Sequence, residues 1–315
     1  MRRILFIAAA IVLVAAIVWA VAFFIVVPYF AMALDYGNVQ LIVTALMFAG
    51  LSLAISGRDL PAAALLDVAI TVKIVPALTL PYFAVTRRFT LLGLVLMITV
   101  ALNVLPSIYF GVAGNRELVA RWYEHVIVGH EFHETNGPIN LSLKGQLRRT
   151  FTQADYTQRV DGDHRYAAVN VAALSTSTVD RAWMAIAACL FVGALGLIWV
   201  SARSSDAATQ APTDVRLVAP QVGLLICVML CVGPLTSKVY FVALLWPAVA
   251  IGVAAWDQAI VRRAMIGVAV VSSALPLLPG RTMQRLLLIA GTDFYVSSAI
   301  LALVAFTLVR SSRSD

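Results

Sequence analysis

Apolar residues run almost without interruption through this chain, and the one long exception, residues 114–181, is polar. About 20 helical residues cross a bilayer core, so apolar runs of about 18 or more are read as spans. Nine are predicted: 4–27, 39–56, 61–85, 89–110, 183–201, 217–235, 239–256, 264–278 and 287–309. The eighth is short enough to be partly interfacial. The runs are continuous rather than alternating, which predicts helices and excludes a β-barrel. The expected fold class is all-α: a polytopic transmembrane helix bundle forming one membrane domain over 1–315. A single long extracytoplasmic loop, 111–182, is expected to carry amphipathic helical pieces between spans.

Composition supports the same class. Hydrophobic residues make up 61% of the chain and charged residues 12%, with a mean hydropathy of +0.91. A soluble domain could not keep that much apolar surface from water, whereas a membrane bundle exposes it to lipid and satisfies its backbone inside helices. The net charge of +7 follows from topology and gives no support to a nucleic-acid partner. The N-terminal apolar run exceeds a signal-peptide core and shows no small-residue cleavage site before Pro28, so a retained helix is expected.

Basic residues divide between the two ends of the predicted spans. Arg87, Arg88, Arg203, Arg216, Arg262, Arg263, Arg310 and Arg313 fall on one side, and Arg58, Lys238, Arg281 and Arg285 on the other. The positive-inside rule makes the first group cytoplasmic and the 114–181 loop external. An odd number of spans then leaves Arg2 and Arg3 outside as well. Either the first span is misplaced or helices are expected to precede it.

Several candidate groups have ordinary readings. Cys189, Cys227 and Cys231 all lie in predicted spans without acidic or histidine neighbours, and are expected to pack as small apolar residues. His125, His130, Glu131, His133 and Glu134 cluster in the loop without the spacing of a zinc motif, and a solvated loop is expected. Ionisable residues inside a span are costly, so Asp67 and Lys73 in the third predicted span need partners. Lys73 either snorkels to the cytoplasmic headgroups or faces a bundle cavity where it meets a phosphate. Pro76 and Pro81 predict a kink beside it.

Three stretches together carry a resemblance. The first is Asp35-Tyr36-Gly37-Asn38-Val39-Gln40, followed by Lys73-Ile74-Val75-Pro76 and the basic turn Arg87-Arg88. The second is Asn140-Leu141-Ser142-Leu143-Lys144-Gly145-Gln146-Leu147-Arg148-Arg149 in the loop, with Val160-Asp161-Gly162 and Asn170-Val171-Ala172 beyond it. The third is Leu235-Thr236-Ser237-Lys238-Val239-Tyr240-Phe241, then Trp246-Pro247. In this order they resemble glycosyltransferase family 87 of the GT-C class, the polyprenol-phosphate-mannose-dependent mannosyltransferase group. Leu141 and Tyr240 depart from the family pattern, which has Gln and His there.

The resemblance implies a membrane enzyme that moves a hexose, mannose first among them, from a polyprenyl-phosphate donor to a glycan or lipid acceptor at the outer face. A multi-pass protein of a bacterial inner membrane is expected. Lys144, Arg149 and Lys238 would supply fixed cations to the donor phosphate. Asn140 and Ser142 would bond sugar hydroxyls or order the loop, and Lys73 is the sixth candidate for substrate binding. The competing reading of Lys144 and Arg149 is that they snorkel from an interfacial helix. No cofactor is expected; a divalent metal is compatible with such a fold, but no residue pattern calls for one.

The catalytic base is not assigned. Enzymes of this class place an acidic residue in the first outer loop, but Asp35, the only early acid, falls at the predicted cytoplasmic end. The loop acids Glu117, Glu124, Glu131, Asp155, Asp161 and Asp163 carry no mark that singles one out. The resemblance therefore lacks the front of the family pattern, which predicts a truncated chain, a partner chain supplying that part, or a scaffold without chemistry. The alternative function is such a scaffold, binding lipid phosphate or a partner enzyme. A transporter would show inverted repeats, and none is visible.

Overall fold

The computed structural model describes residues 2–124, 138–153, 166, 168–206 and 214–311, and contains no strand among them. The His125–Glu134 cluster, Asp155, Asp161, Asp163, the 160–162 motif and Arg313 lie outside the described residues. The chain opens with α1 (Arg2–Asp35), α2 (Gln40–Ile55) and α3 (Asp59–Val72). A 3-10 helix (Val75–Thr79) runs into α4 (Leu80–Val85), followed by α5 (Phe89–Val104), α6 (Ser107–Trp122) and α7 (Leu143–Phe151). The second half holds α8 (Thr176–Asp206), α9 (Val215–Val232), a 3-10 helix (Lys238–Leu244) leading into α10 (Leu245–Ala255), α11 (Ala259–Ala274), α12 (Arg281–Ala290) and α13 (Thr292–Ser311).

This is the expected all-α polytopic membrane protein. Six described helical segments are long and apolar enough to cross a membrane, or seven if the bent pair α5–α6 is one span. Gln40–Ile55 and Val75–Val85 are apolar but shorter. The count thus differs from the nine spans predicted, and the difference lies in residues 39–110. At the centre stands α9, in which every residue from Pro220 to Cys231 is buried, the thiols of Cys227 and Cys231 included. Cys189 on α8 is exposed.

The predicted third span, 61–85, is two passages rather than one kinked helix. Pro76 has no N–H to donate, and its ring would clash with the carbonyl four residues back, at Val72. Accordingly α3 ends at Val72 and Lys73 is extended, at φ −144° and ψ 126°. Two contacts give the directions. Lys73 Nζ donates to Gln40 Oε1 at 2.9 Å, so the end of α3 returns to the start of α2. Arg88 then pairs with Asp59 at 3.2 Å, so segment 75–85 has crossed back to where α3 began. In consequence α3 and α5 run parallel, and Thr99 donates to the fully buried Asp67 between them.

Two placements change as a result. Arg58 stands with Arg87 and Arg88 at the end opposite the loop, not with Lys238, because it precedes Asp59. Asp35 stands at the loop end, not at the end predicted to be cytoplasmic, because it closes the helix that hands over to Gln40. The extra passage also settles the parity problem: α1 starts at the same end as Arg58, Arg88, Arg203, Arg216, Arg262 and Arg310. Hydropathy gave no warning because a reversal inside an apolar run leaves the run apolar.

The predicted fourth span, 89–110, is bent by 92° after Val104, where α6 leaves the axis of α5. No residue of α6 is buried, and Ile108, Tyr109 and Val112 are exposed. A helix at a right angle to a membrane span lies along the surface, where exposed apolar side chains meet lipid. Between α5 and α8, the helices among the described residues are α6 and α7.

Candidate functional site

The six candidate residues come from three separated stretches, and all six gather at the loop end. The turn between α1 and α2 is closed by Gly37 N to Leu34 O and Asn38 N to Ala33 O. Asn38 Oδ1 accepts from Gln40 N, and the Gln40 side chain is buried. Its amide is oriented at both atoms, since Nε2 donates to Thr44 Oγ1 and Oε1 receives Lys73. Lys73 Nζ also lies 4.0 Å from the centre of the Tyr240 ring. Neither partner is an acid. Lys73 sits in the break between α3 and the 3-10 helix, and burial lowers its ammonium to about 8. It lines a narrow cleft with Gln40, Pro76, Met229 and Tyr240.

The loop segment is stitched onto the bundle by Asn140. Its Oδ1 accepts from Ser142 N and Thr236 N, its Nδ2 donates to Pro234 O, and its carbonyl receives Arg149 Nη1 at 2.7 Å. Leu141 N donates to Thr236 O. Ser142 caps α7, its Oγ accepting from Gly145 N. Both side chains are fully buried, so the arrangement favours loop ordering over contact with a sugar. Gly145 is obligatory, because a Cβ there would stand 2.3 Å from Asn140 O.

Helix α7 presents its cations in different surroundings. Arg149 is fully buried. Arg148 Nε donates to Asp180 Oδ1 at 2.8 Å, and Lys144 lies 3.9 Å from the same carboxylate and over the Trp183 ring. Burial lowers the Lys144 ammonium, while Asp180 pulls it back up. Gln146 rests on Gly291, where φ is +81° and a Cβ would overlap the amide. That contact fixes α7 over the α12–α13 corner.

Lys238 opens the 3-10 helix and faces Asp293 on α13, at 3.8 Å. Asp293 also stands beside the Tyr29 hydroxyl of α1. The pair borders a cavity of about 160 Å³. Asp35 is exposed beside the α1–α2 turn. Among the described residues, no three His, Cys, Asp or Glu side chains converge on one point.

Asp180, Asp293 and Gln40 were not singled out as partners in the sequence. An acid at the head of an apolar span is itself a signal, and Asp293 gave it. Gln40 lay within a quoted motif, but only the fold brings it to Lys73.

A family model described as glycosyltransferase family 87 matches residues 3–227, more than two thirds of the chain. The matched stretch includes Asp35, Lys73 and α7 and stops before Lys238 and Asp293. No curated protein and no solved structure matches.

Proposed function

The chain belongs to glycosyltransferase family 87, and on that premise we propose that it transfers a hexose, mannose first among the candidates, from a polyprenyl-phosphate donor to a hydroxyl acceptor at the outer face of a bacterial inner membrane. The observation that carries the reading is Lys73: a half-buried cation held by an amide oxygen and an aromatic face, with no carboxylate on it among the described residues. A cation held this way keeps its charge for an incoming anion, and a phosphate at the membrane surface is the anion that the family reading supplies.

In the reaction, the acceptor oxygen bonds to the anomeric carbon while the bond from that carbon to the phosphate oxygen breaks. The electron pair leaves with the polyprenyl phosphate, and Lys73 stabilises its charge. The acceptor proton goes to a carboxylate. Asp35, exposed at the loop end in the same turn as Gln40, is the acid we assign to receive it. The anomeric configuration inverts, and no nucleotide sugar enters.

The test is transfer of radiolabelled sugar from polyprenyl-phosphate-mannose, with polyprenyl-phosphate-glucose alongside, in membranes holding wild type, Lys73→Met or Asp35→Asn. Transfer by the wild type that both variants lose supports the assignment. A wild type that binds the donor lipid without turning it over favours the second reading, a lipid-phosphate-binding scaffold whose chemistry needs another chain.

A further inference from the structure

The cavity beside Lys238 has no part in that donor site. Residues three apart eclipse in a 3-10 helix. Tyr240 and Ala243 therefore share the face of the Lys238–Leu244 helix that lines the Lys73 cleft. Lys238 points from a different face, into the cavity of about 160 Å³ that it borders with Asp293, Thr292, Gln284 and Ser272. One short helix thus separates two chambers at the loop end.

Their chemistry differs. The Lys73 cleft is apolar apart from one cation and one amide, whereas the second chamber contains a carboxylate, which repels phosphate. Lys238 neutralises Asp293 and leaves no net charge there to draw an anion. What remains is a ring of hydroxyl and amide oxygens among apolar side chains such as Leu288 and Pro276. Thr292 and Ser272 spend their protons on Leu287 O and Ile25 O, so their oxygens keep lone pairs for an incoming O–H. A carboxylate is the strongest acceptor a hydroxyl can meet. The space is several times what one water needs, about 30 Å³ in the liquid. A pyranose, with a rim of hydroxyls and apolar C–H faces, matches such a wall. Helix α12 forms part of it and exposes Met283 and Leu286 at the loop end, so the chamber lies at the level of the membrane surface.

We propose that this chamber binds a hexose unit of the acceptor, with Asp293 as the positioning residue that receives its hydroxyl and Lys238 as the cation that holds Asp293 in place. The proposal rests on the glycosyl-transfer reading, since a donor site needs a partner site for the attacking hydroxyl. It moves Lys238 from donor phosphate to acceptor.

Saturation-transfer NMR on the full chain in nanodiscs tests it, with methyl α-D-mannoside and methyl α-D-glucoside as probes and farnesyl phosphate in a separate arm. Wild type and Lys73→Met are expected to bind at least one hexoside. Asp293→Ala and Gln284→Trp are expected to weaken that binding at least tenfold. Gln284 is exposed on α12, so the indole fills the chamber without disturbing the core, and this variant decides the matter if Asp293→Ala fails to fold. Hexoside binding that survives Gln284→Trp, or a wild type that binds neither hexoside, overturns the proposal. Farnesyl phosphate reads the donor site separately: if it fails to bind the wild type while a hexoside binds and Gln284→Trp removes it, the donor reading falls and the acceptor chamber stands.

Discussion

Two lysines at the loop end differ in what opposes their charge. Lys73 meets an amide oxygen at 2.9 Å and an aromatic face at 4.0 Å, whereas Lys238 meets a carboxylate at 3.8 Å. A cation against neutral partners still carries its full charge, and a cation against an acid has already spent most of it. Charge alone therefore does not mark a phosphate site; the partner decides. Lys144 and Arg148 fall with Lys238 by this test, since both lie on Asp180.

Arg149 sharpens the comparison with the largest expected effect. Its guanidinium holds the Asn140 carbonyl in a fully buried position, so Arg149→Met should destabilise the fold by on the order of 3 kcal/mol, one lost charged hydrogen bond plus a stranded acceptor. Thermal melting in detergent measures this, and an unchanged Tm would remove Arg149 from the structural frame. Lys73→Met should cost less stability than Arg149→Met, about 1 kcal/mol for the acceptor left on Gln40, and lower transfer about ten- to a hundredfold, the worth of one charge-assisted hydrogen bond. The opposite outcome, lost folding with transfer per folded molecule intact, would break the contrast between the lysines.

The same lysine predicts a pH dependence. Its ammonium titrates near 8, so donor binding should be strongest below that value and fall as pH rises through it. Lys73→Arg, which stays charged, should flatten the profile, and donor affinity between pH 6 and 9.5 would show it. Lys238→Met strands a partly buried carboxylate and should cost about 1–2 kcal/mol of stability after allowance for its exposure. Arg88→Ala breaks the pair at the far end, where both side chains are more than a quarter exposed, and should change stability by less than about 1 kcal/mol. If Arg88→Ala cost more than Lys238→Met, the ranking of these ion pairs by burial would be wrong.

Much of this was legible in the sequence because lipid-exposed helices write themselves as long apolar runs. Residues 176–311 followed the predicted spans closely, and even the short eighth run proved to be part of a full-length segment, Ala259–Leu277. The region 39–110 was harder for a definite reason: Pro76 and the bend after Val104 redirect the chain without changing its hydropathy. One missed reversal moved Asp35 and Arg58 to the wrong ends. The fold brings Lys73 to the same end as Lys144, Arg149 and Lys238, which the sequence did not require, and their partners Gln40, Asp180 and Asp293 come from distant segments. The burial of Asn140 and Ser142, which fasten the loop as one of their two expected roles has it, also needed the fold.

The short helices of the first half have a mechanical meaning. At about 1.5 Å per residue, α5 is about 24 Å long and α3 shorter still, against about 30 Å for an ordinary hydrocarbon core. The longer α1 and α8 on other sides of the bundle face no such shortfall. A bilayer on that flank meets the shortfall by thinning, by snorkelling of flanking side chains or by further association of helices. Lys73, at the end of α3, stands where that shortfall falls.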